Sequence, residues 1–159
     1  MSSAATEHSR VLRNRGYRWD GVEEEAYKAE GTHFSGARRQ TLVGRPSGQE
    51  APAFETRYFE VDPGGYTTLE RHAHTHVVII VRGRAEIILD DRVECAVPLD
   101  CIYIAPWSWH QIHAVADEDD EPLGFLCTVE QDRDRPERPD DEALARLCAE
   151  PAVARRIRT

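Results

Sequence analysis

The middle of the chain alternates short apolar or patterned runs with turn residues. The runs are Gln40-Gly44, Phe54-Val61, Tyr66-His72, His76-Val81, Arg84-Leu89, Arg92-Val97, Cys101-Ile104, Gln111-Val115 and Leu123-Val129. Pro63-Gly64-Gly65, Arg82-Gly83, Asp90-Asp91 and Pro98-Leu99-Asp100 separate several of them. Short strands at this spacing predict an all-β sandwich or closed barrel, because a lone hairpin cannot bury its apolar face. The flanks read differently. Residues 1–16 are polar and aperiodic and are expected to form a loose arm. Residues 17–53 are expected to be an extension packing on the barrel or on a partner subunit, since from Tyr17 to Gly36 aromatic residues mix with Glu, Gly and Ser without sustained periodicity. The barrel itself is assigned to 54–129 and a tail to 130–159. Within the tail, Asp132 to Pro139 alternates charge with proline and does not suit a strand. Pro139-Asp140-Asp141-Glu142 then opens a helix predicted over about 140–150, with acids at the end that the macrodipole favours. Leu144, Leu147 and Cys148 fall at helical spacing to pack it on the barrel, and Pro151 should interrupt it.

Composition narrows the classes. The chain has 159 residues, the size of one domain able to bury a core without staples. A formal charge of -9 argues against a general binder of nucleic acid or anionic membrane, because phosphate contacts need positive surface. Part of that excess is the run Asp117-Glu118-Asp119-Asp120-Glu121, which reads as a solvated loop tip. No apolar stretch approaches the roughly 20 residues that span a bilayer, and the N-terminus shows no secretory pattern. Four cysteines (Cys95, Cys101, Cys127, Cys148) form no C-x-x-C pair and are expected to be reduced thiols in a cytoplasmic protein.

Candidate chemistry concentrates in histidine. His72, His74 and His76 follow Glu70 closely, and His110 stands further on in Ala105-Pro106-Trp107-Ser108-Trp109-His110-Gln111. Neutral imidazole is the commonest protein ligand for several transition metals. Along a strand, residues i and i+2 point the same way about 6.6 Å apart, and i and i+4 lie about 13 Å apart. A straight strand therefore cannot bring His72, His74 and His76 to one ion, so the run must contain a turn or bulge. Either Glu70 and His72 form the i, i+2 pair around a turn at Ala73-His74-Thr75, or His72 and His74 form it.

Gly65, Glu70-x-His72, His76 and Gly83, followed by Pro106 and His110, resemble the two motifs of the cupin superfamily, and Phe125-Leu126-Cys127 resembles the last strand of small bacterial members. The resemblance covers roughly 54–129. It implies an all-β cupin fold, a double-stranded β-helix or jelly-roll barrel, with an N-terminal extension and a short C-terminal helix. It further implies one divalent transition metal (Mn, Fe, Zn, Ni or Cu) held by His72, His76 and His110, with Glu70 or His74 as fourth ligand; register favours Glu70. Three positions depart from the family pattern: Glu70 stands where the first His of the pair is usual, Val77 where Glu is frequent, and Leu99 where Gly usually precedes Asp100.

Other residues have quieter readings. His33 and His113 read as surface or packing residues and His8 as part of the arm. Trp107 and Trp109 read as rim or core packing, Gln111 as an ordinary hydrogen-bonding residue, and Cys127 as a buried inert thiol. Arg57 and Tyr58 lie on opposite faces of one strand, so only one faces the interior; an inward Arg57 would suit an anionic substrate. The fold leaves three functions open. One is a metal-dependent dioxygenase acting on a small organic molecule, with Glu70 as ligand or base. Another is a non-redox isomerase or lyase acting on a sugar or carboxylate. The third is a non-enzymatic module that binds a small ligand. The family resemblance also implies a homodimer.

Overall fold

The computed structural model describes residues 7–29 and 31–159. Residues 1–6 of the expected arm lie outside the described residues. Nine strands form one curled, wholly antiparallel sheet: β1 (Glu24–Ala26), β2 (Ser35–Val43), β3 (Phe54–Tyr66), β4 (His76–Arg82), β5 (Ala85–Leu89), β6 (Arg92–Ala96), β7 (Cys101–Ile104), β8 (His110–Ala114) and β9 (Leu123–Glu130). The order β6-β5-β8-β3-β9-β4-β7 runs around the curl, and β2 adds to β3 with β1 beyond it. This is the curled antiparallel barrel that the motifs implied, with two short helices, α1 (Asp141–Leu147) and α2 (Pro151–Arg156), after it.

β3 bends the sheet. Phe54–Val61 pairs with β9 on one side and β2 on the other, whereas its last residue, Tyr66, pairs with His113 of β8. The Pro63-Gly64-Gly65 run was read as a break between two strands; instead β3 continues through it. The pairing with β2 shifts register between Ser35/Tyr66 and Ala37/Val61, so the run is accommodated as a bulge. Gly64 takes a left-handed φ of 75°, and a Cβ on Gly65 would lie 2.5 Å from the Ser35 carbonyl oxygen. Glycine is needed at both, for conformation at the first and for space at the second. The expected strand Tyr66-His72 is correspondingly reduced. After Tyr66 the chain keeps only spaced bonds to β8, among them Thr67 N to Ile112 O and Glu70 N to His110 O.

The inward face of β3 carries Glu55, Arg57, Phe59 and Val61, continued by Phe125, Cys127 and Val129 of β9 and by Val78 and Ile80 of β4. Together with Ile87, Leu89, Ile104 and Ile112 the apolar members form the main core. A smaller cluster lies outside the barrel, where Ile88 and Leu69 meet Leu147 of α1 and Val153 of α2. Asp140 caps α1 by accepting from Ala143 N at 2.8 Å. Cys148, expected on the packed face, is exposed; α1 ends at Leu147, and Pro151 starts α2 at a position where its missing N–H costs nothing.

The extension forms more strand than its pattern suggests. β2 begins at Ser35 rather than Gln40, because the charges that break the apolar alternation are paired across the sheet. Arg38 binds Glu60 and Asp62, and Arg39 binds Glu25. Tyr17 and Trp19 cover the outer face of Tyr58, which is fully buried there and donates to Glu60 at 3.0 Å. Tyr27, by contrast, packs edge-on against Phe59 from the interior side. No helix of the described residues is long and apolar enough to cross a membrane.

Candidate metal centre

A cavity of about 220 Å³ opens inside the barrel. His76 enters it from the start of β4 and His110 from the start of β8, while Glu70 and His74 line it from the connection between β3 and β4. One nitrogen from each of His72, His76 and His110 lies within 4.8 Å of the others. Glu70 and His74 border this trio without belonging to it.

Local hydrogen bonds set the imidazoles for ligation. His72 Nδ1 lies 2.7 Å from the His74 carbonyl oxygen, and His110 Nδ1 lies 3.0 Å from that of Ser108. A carbonyl only accepts, so both Nδ1 atoms carry the proton and both Nε2 atoms present a lone pair. His72 Nε2 is buried with no hydrogen-bond partner among the described residues, an unmet acceptor of the kind a metal satisfies. Burial, reinforced by the neighbouring imidazoles, pushes His72 down to about 4 and depresses His76 as well; burial does the same for His110. All three are neutral near pH 7, the form that binds a cation. The donor set therefore fits a divalent transition metal.

The turn that the spacing required is present at residues 73–75, and the tail fixes it. Asp134 accepts from Ala73 N at 2.7 Å, from His74 N at 3.0 Å and from His74 Nδ1 at 2.6 Å. These donors outweigh the opposing effect of burial and hold the Asp134 carboxyl well below the usual range. His74 is thereby stacked on His72, with ring centroids 3.6 Å apart, and its Nε2 lies 3.2 Å from His76 Nε2. Glu70 accepts from Lys28 Nζ at 2.5 Å, so a lysine of the extension reaches the centre.

Of the two readings of β3, the structure turns Arg57 inward and Tyr58 outward. Arg57, Lys28, Arg39 and Arg133 share the cavity wall with Cys127, whose thiol is pushed up by burial. His113 is buried and bound to Gln111, Trp109 packs against the helix cluster, and Trp107 stands half-exposed beside Arg71. Lys28, Arg39, Arg133 and Asp134 escaped the sequence reading. They are single charged residues in segments without periodicity, and no local signal marks them.

Residues 57–129 match the family model described as the cupin domain. A Rhodospirillum rubrum protein named 1-methylthio-D-xylulose 5-phosphate methylsulfurylase is 48% identical over 139 residues, spanning 87% of this chain and 85% of its own. The crystal structure of a cupin 2 domain-containing protein from Halorhodospira halophila is 71% identical, with a TM-score of 0.76, covering 97% of this chain and 99% of the other. That of a cupin 2 conserved barrel protein from Rhodopseudomonas palustris is 39% identical, with a TM-score of 0.84, covering 95% and 100%.

Proposed function

Because the chain belongs to the cupin family, we propose that it is a metal-dependent enzyme acting on a small phosphorylated ketose that carries a sulfur substituent. The observation that carries this reading is a neutral histidine trio, of which His76 and His110 line one cavity with four cationic side chains. Such a cavity suits a molecule with a carbonyl to polarise and an anion to hold. The relative's name supplies a molecule of that kind, a methylthio pentulose bearing a 5-phosphate. A dioxygenase does not specifically require an anion-binding wall, so the non-redox alternative is preferred.

His72, His76 and His110 would hold the ion through Nε2, or through the free nitrogen in the case of His76. When bound, the metal supplies Lewis acidity at the ketose oxygen. Glu70, fixed by Lys28, takes and returns a proton at the carbon beside the carbonyl. Its alternative role as fourth ligand, and that of His74, belong to the same proposal. Tyr27, Phe59 and Phe125 line the cavity and exclude water from the reacting end. Homodimerisation through the open edge of β7, where Tyr103 and nearby Leu99 are exposed, and a reducing cytoplasmic setting for four unpaired thiols complete the proposal.

The test incubates the protein with Mn(II), Fe(II) or Zn(II) and 1-methylthio-D-xylulose 5-phosphate in D2O, followed by proton NMR. Metal-dependent deuterium entry beside the carbonyl is expected, and it should vanish in Glu70→Gln. No deuterium entry with any of the metals would refute the reading.

A further inference from the structure

Arg57 stands out among the charged groups of the cavity. It is 8% exposed and brings a guanidinium, a planar fork of N–H donors, into the cavity wall. Lys28 is paired with Glu70, Arg39 with Glu25 and Arg133 with Glu55. Among the described residues, Arg57 has no carboxylate partner. Its Nη2 lies 3.5 Å from Cys127 Sγ, its Cζ lies 5.0 Å from the Phe59 ring centroid, and its buried Nε has no hydrogen-bond partner among the described residues. The Cys127 thiol, kept protonated by burial, does not neutralise it. A buried unpaired cation destabilises a fold, so its presence calls for an anion that arrives from outside.

The register places that cation relative to the histidines. Arg57 is in the inward row with Cys127 and Val78, and His76 is in the adjacent inward row with Val129. Two strand spacings and two residues of rise put the Arg57 and His76 Cα atoms about 12 Å apart on the same concave face. The two heads thus face one cavity with space for a short carbon chain between them.

We propose that Arg57 is the receptor for the anionic end of the substrate, gripping a phosphate monoester while the carbonyl end faces His72, His76 and His110. The choice of phosphate over carboxylate rests on the proposed function; the need for an anion rests on Arg57 alone. Two parallel N–H donors on one edge of a guanidinium match two phosphate oxygens, a geometry that lysine cannot copy.

The test uses metal-free, chelator-treated protein, so that phosphate gains nothing through a metal. D-xylulose 5-phosphate, D-xylulose and inorganic phosphate are titrated by calorimetry into the wild type, Arg57→Lys, Arg57→Gln and Arg57→Met. The wild type should bind the sugar phosphate at least tenfold more tightly than the free sugar. Arg57→Gln and Arg57→Met should lose that preference, and Arg57→Lys should keep part of it. Without ligand, Arg57→Met should melt at or above the wild-type temperature, because an uncompensated charge has been removed. Sugar-phosphate binding unchanged in both Arg57→Gln and Arg57→Met would overturn the assignment. So would a clear loss of ligand-free stability in both, which would make Arg57 structural. Absence of turnover with the methylthio sugar, alongside an Arg57-dependent phosphate preference, would overturn the proposed reaction and leave the anion receptor standing.

Discussion

Acidification of the metal-free protein should expose His113 as a neutral, load-carrying part of the barrel. His113 is 4% exposed, donates from Nε2 to Gln111 Oε1 at 3.0 Å, and lies against the Tyr66 ring. Burial, followed by the positive charges of Arg156 and Arg158, pushes it from 6.5 down to about 3. Between those values the unfolded chain binds the proton and the folded one does not. The stability contributed by His113 is therefore fully present above the unfolded value and is lost as pH falls toward the folded one. Linkage gives a loss of about 2 kcal/mol between about pH 7 and pH 5 from this residue alone. For a chain of this length that corresponds to roughly 4–8 °C in Tm. His113→Gln keeps a hydrogen-bonding side chain at the position and removes the titration. Urea unfolding of both proteins with chelator at the two pH values isolates the difference, since the other buried histidines act alike in each. The wild type should lose about 2 kcal/mol more than the variant. Equal losses would show that His113 is protonated or exposed in the fold, contrary to the structure.

Three further outcomes follow from the same geometry. Gly65→Ala should cost about 1–3 kcal/mol, measured by urea unfolding, because the new Cβ meets the Ser35 carbonyl oxygen at 2.5 Å inside the β2–β3 bulge. A chromogenic disulfide reagent should titrate Cys95 and Cys148 rapidly in the native protein and reach Cys127 only on unfolding, since the first two are exposed and the last is buried. Asp134→Ala, which frees the turn carrying His74, should weaken metal affinity about 10- to 100-fold in a competition titration with a chelating dye while far-ultraviolet circular dichroism stays unchanged.

The barrel was legible from periodicity and the histidines from clustering, while the choice of His72, His76 and His110 among them came from the resemblance to the cupin motifs. Inward-facing apolar residues recur at a period of two along β3, β4 and β9, and strand geometry forbids His72, His74 and His76 from meeting without the turn seen at residues 73–75. What escaped was set by long-range partners. Arg38 and Arg39 look like breaks in a strand until Glu60, Asp62 and Glu25 are seen to pair with them. Pro63-Gly64-Gly65 looks like a strand end until its register shift against Ser35 shows a bulge. Arg57 and Tyr58 could not be assigned to faces from alternation because both are buried, one by the cavity and the other by Tyr17 and Trp19. Asp134 and Lys28 reach the centre only through tertiary folding.

The central claim is that His72, His76 and His110 together hold a metal ion. Plasma mass spectrometry of untagged protein, after growth in ordinary medium and dialysis against Mn(II), Fe(II) or Zn(II), tests it most directly. The account predicts about one transition-metal ion per chain in the wild type and less than about a tenth of that in His72→Ala and His110→Ala, with both variants folded. Wild-type metal content in both variants would contradict it.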